Sequence, residues 1–354
     1  MQQPKALIAM SGGVDSSVAA YLTAQEGFSC IGGTMLLYDS GDVCGSSAAI
    51  GDARAVADRL GMPFHVFELT EEFRDYVICD FVSCYENGLT PNPCVRCNRH
   101  MKFSAFLEKA KELGCDCMVT GHYARIKKNE VTGRYLLCKA ADEAKDQSYF
   151  LYAITQEQLA HIRFPLGELT KDQVRSIALE QSFINAKKRD SQDICFVPDG
   201  DYYAFLCKFT GKDYAPGDFL DTSGNKVGTH QGAAGYTLGQ RKGLGLAMGQ
   251  PVYVCGKDME KNTVTVGTED TLFHKELLAN DWFFFPFPAI TEPLEVTAKT
   301  RSRMKEQPAT VYPEENGYCR VVFHEPQRAM TPGQAVVLYD GDVVIGGGTI
   351  TKIL

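Results

Sequence analysis

Seven residues, Ser11-Gly12-Gly13-Val14-Asp15-Ser16-Ser17, separate the apolar run Lys5–Met10 from a helical pattern that extends from Ser16 to about Gln25. A strand that turns through two glycines straight into a helix is the opening half of a βαβ unit, and it commits the chain to a parallel sheet. The same alternation continues downstream. The run Phe28–Tyr38 leads to a helix near Asp52–Leu60, and Met62–Phe67 leads to a helix near Glu71–Cys84. A helix near Phe103–Leu113 then precedes a strand near Cys117–Thr120. Thr170 and Gln173 have the spacing of a capping box, so a further helix is expected from there to about Gln181.

After about residue 200 the texture changes. Glycines crowd residues 217–249, and short β-branched runs appear at Pro251–Cys255 and Thr263–Val266. From about Asp281 nearly everything reads as short strands between turn residues. The expected architecture is α/β: a Rossmann-like parallel-sheet domain over residues 1–200, a small Gly-rich central domain over 201–278, and a C-terminal β-barrel over 279–354.

Composition excludes several classes. The longest strongly apolar stretch, Trp282–Ile290, contains two prolines and falls far short of the ~20 residues a bilayer span needs. No secretion-like leader precedes the first motif, so the expectation is a cytoplasmic protein that makes no membrane contact. Thirteen cysteines, an odd number scattered along the chain, do not look like a disulfide framework. Most are expected to be small buried hydrophobes: Cys30, Cys44, Cys79, Cys84, Cys115, Cys117, Cys138, Cys207, Cys255 and Cys319. A net charge of -8 provides no global basic field, so RNA contact requires a local patch. Lys299, Arg301, Arg303 and Lys305 fall two apart; on a strand all four would point to one face and track phosphates.

The first loop carries chemistry of its own. Gly12 and Gly13 let the backbone approach an anion, the following helix turns its positive end to the same place, and the serines add donors. The lysine of a G-x-x-x-x-G-K-S/T loop is absent. The motif SGGVDSS resembles the loop of enzymes that split ATP into AMP and pyrophosphate, among them GMP synthetases, asparagine and argininosuccinate synthetases, tRNA lysidine synthetases and tRNA thiolases. Further motifs narrow this group. Thr90-Pro91-Asn92-Pro93-Cys94-Val95-Arg96-Cys97-Asn98, read as a loop, is followed by Met101-Lys102-Phe103. Thr120-Gly121-His122-Tyr123 ends a strand, where open parallel sheets place ligands. Lys145–Phe150, Asp190–Phe196 and Tyr236–Gly245 complete the set. In this order, from Ala6 to Gly348, they resemble the tRNA-specific 2-thiouridylase family.

The resemblance implies a sulfurtransferase that uses ATP to thiolate the wobble uridine of tRNA, releasing AMP and pyrophosphate. The chemistry is coherent: a uracil carbonyl oxygen leaves poorly, AMP leaves well, and sulfur carried as a persulfide needs a cysteine and a second thiol to release it. Carried over residue by residue, the persulfide carrier is Cys195 and its partner thiol Cys97. ATP, with Mg²⁺, is expected on Ala9, Met10, Ser11, Gly12, Gly13, Val14, Asp15, Ser16, Met35 and Gly121, with Asp15 orienting the metal or the pyrophosphate. tRNA is expected on Asn92, Pro93, Cys94, His122, Lys145, Asp146, Gln147, Arg301, Ser302 and Gln334. Lys187, Lys188 and Arg189 are candidates, by nearness in sequence, for positive charge beside Cys195. The implied partners are tRNA and a sulfur donor (a cysteine desulfurase or sulfur-relay protein), and the implied state is a monomer.

One position departs from the family. Where its familiar form has an aspartate thought to handle protons at the target base, this chain has Cys94, making a CxxC pair with Cys97. Two alternatives follow: Cys94 is a redox partner of Cys97, or Cys94, Cys97 and Cys195 hold three corners of an iron–sulfur cluster. Rival readings are an amidating or lysine-ligating enzyme with the same loop, which needs no reactive cysteine, and a non-catalytic RNA-binding protein.

Overall fold

In this computed structural model the described residues are 3–38, 47–188 and 194–354. The expectations for Cys44, Arg189 and Asp190–Asp193 lie outside them. The strands of the first part are β1 (Lys5–Ala9), β2 (Ser29–Leu36), β3 (Phe64–Glu68), β4 (Cys117–Val119), β5 (Arg125–Lys128), β6 (Tyr135–Cys138) and β7 (Ile162–Arg163). Five of them form one parallel sheet in the order β3-β2-β1-β4-β7. Successive side chains alternate between its two faces. Leu7, Ile31 and Met118 pack with Phe103, Phe106 and Leu107 on one face. Ala6, Ile8 and Val119 pack with α1 (Val14–Gln25), α2 (Ser47–Arg59) and the Lys171–Glu180 helix on the other. The strand order reverses between β1 and β4, which opens a crevice at their carboxyl ends.

The segment around Thr90–Asn98 corrects the reading of it as a loop. Asn92 is an N-cap whose side chain accepts the Val95 N–H, and Pro93 occupies the first turn. Residues 93–112 then run on as one helix through a π-helical stretch, Cys97–Ala105. Asn followed by Pro starts a helix well, because proline lacks an N–H at a position where any N–H would have no acceptor within the helix. Cys94 and Cys97 therefore stand on a helix.

The central part is a four-stranded sheet of β8 (Gly217–Leu220), β9 (Lys226–His230), β10 (Tyr253–Asp258) and β11 (Thr263–Gly267) around buried Phe219, Val254 and Val264. The last part comprises β12 (Phe273–Phe284), β13 (Leu294–Lys299), β14 (Gln307–Pro313), β15 (Cys319–Arg328), β16 (Ala335–Asp340) and β17 (Val343–Ile353). These six pair antiparallel in the order β12-β15-β14-β13-β16-β17, and β12 pairs with β17 to close a barrel. The β5–β6 hairpin joins β17, with Cys138 opposite Val343. One core runs unbroken from Leu7, Phe103 and Tyr149 to Val337 and Tyr339 of the barrel.

The row of four cations does not form. β13 stops at Lys299, and the chain turns with Thr300 fully buried, so two-residue alternation ends there. Lys299 lies over the Tyr339 ring beside Glu306, Arg301 turns inward, and only Arg303 and Lys305 face water. No helix of the described residues is long and apolar enough to cross a membrane.

Candidate active site

α1 starts at Val14, with Gly13 as its N-cap. Gly12 has φ +73°, and a Cβ there would lie 2.3 Å from the Ala49 carbonyl oxygen, so glycine is required on both counts. The Ser16 hydroxyl accepts the Ser11 N–H at 3.2 Å and donates to the Gly13 carbonyl at 3.0 Å, and Ser17 donates to the same carbonyl at 3.0 Å. The first N–H groups of α1 have no acceptor within the helix and open into the crevice. Gly121, just beyond β4, lies against this turn: a Cβ on it would be 2.7 Å from the Ser16 nitrogen. Ala9 ends β1, Met10 donates its N–H to Gly33 at 2.8 Å, and half-buried Met35 lies near the end of β2. The residues expected to meet ATP thus cluster along the carboxyl edge of the sheet.

The loop has no cation of its own; residues 171–188 supply it. Lys171 Nζ lies 2.7 and 2.9 Å from the Asp15 carboxylate oxygens, and the Tyr123 hydroxyl donates to Asp15 at 2.9 Å. Lys188 donates to the Gly12 carbonyl at 3.3 Å and to Asp52 at 2.7 Å. Asn185 donates to the Gly12 carbonyl at 3.1 Å and to Ser17 at 2.9 Å, while its own buried carbonyl oxygen has no partner among the described residues. Sequence reasoning gave no role to Lys171, Tyr123 or Asn185; the signals were that Lys171 opens a capped helix and that Tyr123 closes the Thr120–Tyr123 motif. Glycine cradle, helix end and two ammonium groups fit a polyphosphate. Asp15 would hold a magnesium ion arriving on the phosphates, since Mg²⁺ usually takes one or two carboxylates.

Cys97 and Cys195 are half-buried and pack on the same cluster, which contains Phe73, Phe81, Met101 and Phe196. Phe196, next to Cys195, meets Phe73 and Phe81 edge-on with centroids 5.7 and 5.1 Å away. The cluster includes Leu37 and Leu69, the residues following β2 and β3, so both thiols belong to the same edge as the phosphate loop. Cys94 is exposed at its surface, yet the protein atoms around it desolvate the thiol and raise its pKa, and Lys102 opposes the rise. Among the described residues no group of three or more His, Cys, Asp or Glu could hold a metal ion. Cys94 is exposed while Cys97 and Cys195 are half-buried against the aromatic cluster, so nothing among the described residues supports the three-cysteine cluster site.

His122 is wedged between Phe103 and Phe164, with Nδ1 2.7 Å from the Thr120 hydroxyl and Nε2 3.4 Å from Lys102. Burial first, and Lys102 second, hold it well below the ordinary imidazole range. Several expected RNA contacts carry internal bonds. Asp146 accepts from the Ala140 N–H and the Ser148 hydroxyl, and Gln147 accepts the Tyr123 N–H. Gln334 donates to the Pro91 carbonyl at 2.7 Å and to that of Thr90 at 3.2 Å, tying the barrel to the strap before Asn92 and buried Pro93. Arg301 donates to the Ala329 carbonyl at 2.8 Å and the Thr331 hydroxyl at 3.2 Å. Lys145 is half-buried on the turn that carries Asp146, and Ser302 is exposed beside Arg303.

Residues 4–199 match the family described as tRNA methyl transferase HUP domain, residues 203–268 the tRNA methyl transferase PRC-barrel domain, and residues 274–350 the aminomethyltransferase beta-barrel domain. The chain is 49% identical to the tRNA-specific 2-thiouridylase MnmA of Clostridioides difficile, with 99% of each chain covered. It is 48% identical to the protein of the same name from Acetivibrio thermocellus, covering 99% of this chain and 100% of that one. Among solved structures, a 4-thiouridine synthetase–RNA complex with bound ATP overlaps 54% of this chain and 44% of that chain, at 19% identity and a TM-score of 0.38.

Proposed function

Since the chain belongs to the tRNA-specific 2-thiouridylase family, we propose that it replaces the 2-oxygen of the wobble uridine with sulfur. It is an ATP-dependent sulfurtransferase acting on tRNA. What supports the site assignment is that the glycine loop Met10–Ser16 follows β1, and that the half-buried thiols of Cys97 and Cys195 pack on a cluster that includes Leu37 and Leu69, the residues after β2 and β3 of the same sheet. Methyl transfer, the phrase in two of the domain descriptions, would use neither.

In this reading the uridine carbonyl oxygen attacks the α-phosphorus of ATP, pyrophosphate leaves, and the base is left adenylated. The α1 N-terminus balances the phosphate charge together with the magnesium ion that Asp15 would hold, with Lys171 paired to Asp15 and Lys188 to Asp52 beside the loop. Cys195 arrives at this stage as a persulfide. The Cys97 thiolate attacks the Cys195 sulfur, an S–S bond forms between them, and hydrosulfide departs with the electron pair of the broken bond. Hydrosulfide adds to the activated carbon and AMP leaves. A thiol reductant then reopens the disulfide, and a cysteine desulfurase or relay protein reloads Cys195. Mg²⁺ accompanies ATP, and the enzyme works as a cytoplasmic monomer.

The test is a product assay with tRNA, ATP and a persulfide donor. AMP and pyrophosphate should form only when tRNA is present. Cys195→Ser and Cys97→Ser should abolish 2-thiouridine while the rate of tRNA-dependent pyrophosphate release in a single turnover stays within about tenfold of the parent. Release of ADP, or thiolated tRNA from Cys195→Ser, overturns the assignment.

A further inference from the structure

Lys102 lies on the π-helical stretch that begins at Cys97, and such stretches occur often at functional sites. Its ammonium reaches across to His122, 3.4 Å away, at the carboxyl end of β4. An ammonium can only donate, so His122 Nε2 is the acceptor. The single proton of the neutral ring is then on Nδ1, donated to the Thr120 hydroxyl at 2.7 Å. Thr120 is buried and also receives the His122 N–H at 3.4 Å, so the ring is fixed from behind. Thr120 and His122 therefore aim Lys102, and one of its three N–H bonds is used in being aimed. Among the described residues no carboxylate pairs with it.

The place matters as much as the charge. Gly121, between Thr120 and His122, touches Asp15 and Ser16 of the phosphate loop. The helix that carries Lys102 also carries Cys94 and Cys97, and Lys102 is the cation that acts on the Cys94 thiol. Lys102 thus links the two halves of the site: it shares a helix with Cys94 and Cys97, and it contacts His122, whose neighbour Gly121 packs on the phosphate loop.

We propose that Lys102 is a catalytic residue of the thiolation, its ammonium binding the pyrimidine carbonyl oxygen that becomes adenylated and meeting the negative charge that returns to that oxygen as the C–O bond breaks and AMP leaves. The inference rests on the thiolation reading given above. In that step the C–S bond forms as the ring C=N pair moves onto nitrogen. The pair returns as the C–O bond breaks, and AMP leaves with the electrons of that bond. The thiol proton ends on the ring nitrogen, so no further reactant is needed. A fixed donor aimed at such a charge is worth about 10²–10³ in rate.

The experiment uses the full chain with tRNA, ATP and inorganic sulfide as the sulfur source. Tight control comes from wild type, whose failure to form AMP with tRNA would count against the thiolation reading and not against Lys102. With wild type active, Lys102→Met should lower kcat on the order of a hundredfold, with tRNA affinity changed less than about threefold and an unaltered melting temperature. Lys102→Arg, which keeps the charge, should recover at least a tenth of the rate. If Lys102→Met keeps kcat within about threefold, or loses only tRNA affinity, the proposal is overturned. A Lys102→Arg variant as slow as Lys102→Met would also overturn it.

Discussion

Lys171 Nζ lies 2.7 Å from one carboxylate oxygen of Asp15 and 2.9 Å from the other, across 156 residues of sequence. The Lys171 side chain is 8% exposed and that of Asp15 31%, so the pair closes one side of the phosphate loop while one edge stays open to the crevice. Removing one partner of a largely buried pair leaves the other charge without compensation, at a cost on the order of 3 kcal/mol. Lys171→Met is expected to lose about that much in urea unfolding and to slow tRNA-dependent pyrophosphate release by tenfold or more. An unchanged unfolding midpoint would show that the pair contributes nothing to the folded state.

Arg301 and Arg303 are two residues apart and should behave in opposite ways. Arg301 is held by the carbonyls of Ala329 and Leu238 and the hydroxyl of Thr331, joining the central part to the barrel. Hydrogen bonds from a charged group are worth about 1.5–3 kcal/mol, so Arg301→Ala should lower stability by that order. Arg303 and Lys305 face water. Their alanine variants should melt normally, weaken tRNA binding a few-fold, and each reduce the salt dependence by about 0.7–0.9 in log–log slope. Binding isotherms at several salt concentrations, beside melting curves, separate the two behaviours. A stable Arg301→Ala with a reduced salt slope would reverse the assignment.

Residues with local consequences were legible in the sequence. Gly12 and Gly13 between a strand and a helix announced the loop, and the Thr170–Gln173 box forms with both of its hydrogen bonds in place. That Lys171, inside that box, reaches back to Asp15 is a tertiary fact with no local trace. The helix starting at Pro93 was legible in principle, since Asn92 and Pro93 are good N-cap and first-turn residues; two prolines in the run Thr90–Asn98 outweighed them. The cation row failed for a different reason. Alternation puts residues on one face only while the strand lasts, and burial of Thr300 ends β13 after Lys299. The β5–β6 hairpin could not be placed either, because its partner β17 lies some two hundred residues away in the chain.

His100 should make the fold sensitive to acid. Burial, then the neighbouring Arg96 and Arg99, lower its pKa to about 4, and its ring stacks on Tyr76 with centroids 4.9 Å apart. In the unfolded chain the imidazole takes a proton near pH 6.5, whereas in the folded chain it stays neutral until about pH 4. Above about 6.5 neither state is protonated and His100 adds no pH dependence. Between about 6.5 and 4 the unfolded state binds the extra proton, so stability falls as pH falls. His100→Phe, which keeps the stack, should flatten the loss of urea midpoint between pH 7 and pH 5 relative to the parent. A parallel pair of pH curves would exclude His100 as a source of that slope.

Docking of the barrel onto the strap before Cys94 yields the sharpest mechanical prediction. Gly333 has φ +91°, and a Cβ on it would lie 2.7 Å from the Thr90 carbonyl oxygen and 2.9 Å from the Thr90 nitrogen. Thr90 donates its N–H to the Pro332 carbonyl at 2.9 Å, and Gln334 holds the carbonyls of Thr90 and Pro91 from the same side. The strap leads directly into the Asn92 cap, so any displacement of it tilts the helix that carries Cys94, Cys97 and Lys102. The phosphate loop is held by other elements, α1 and residues 171–188, and should not feel the change. Gly333→Ala is therefore expected to keep ATP affinity within about twofold and to lower the thiolation rate by more than tenfold, since small misplacements of reacting groups cost about 10²-fold. Gln334→Ala, which removes two hydrogen bonds without adding a clash, should follow in the same direction with a smaller loss. Isothermal titration with a non-hydrolysable ATP analogue and single-turnover thiolation measure the two halves separately. Equal loss of both would mean that the cysteine helix and the phosphate loop move as one body, contrary to the separate anchoring described here.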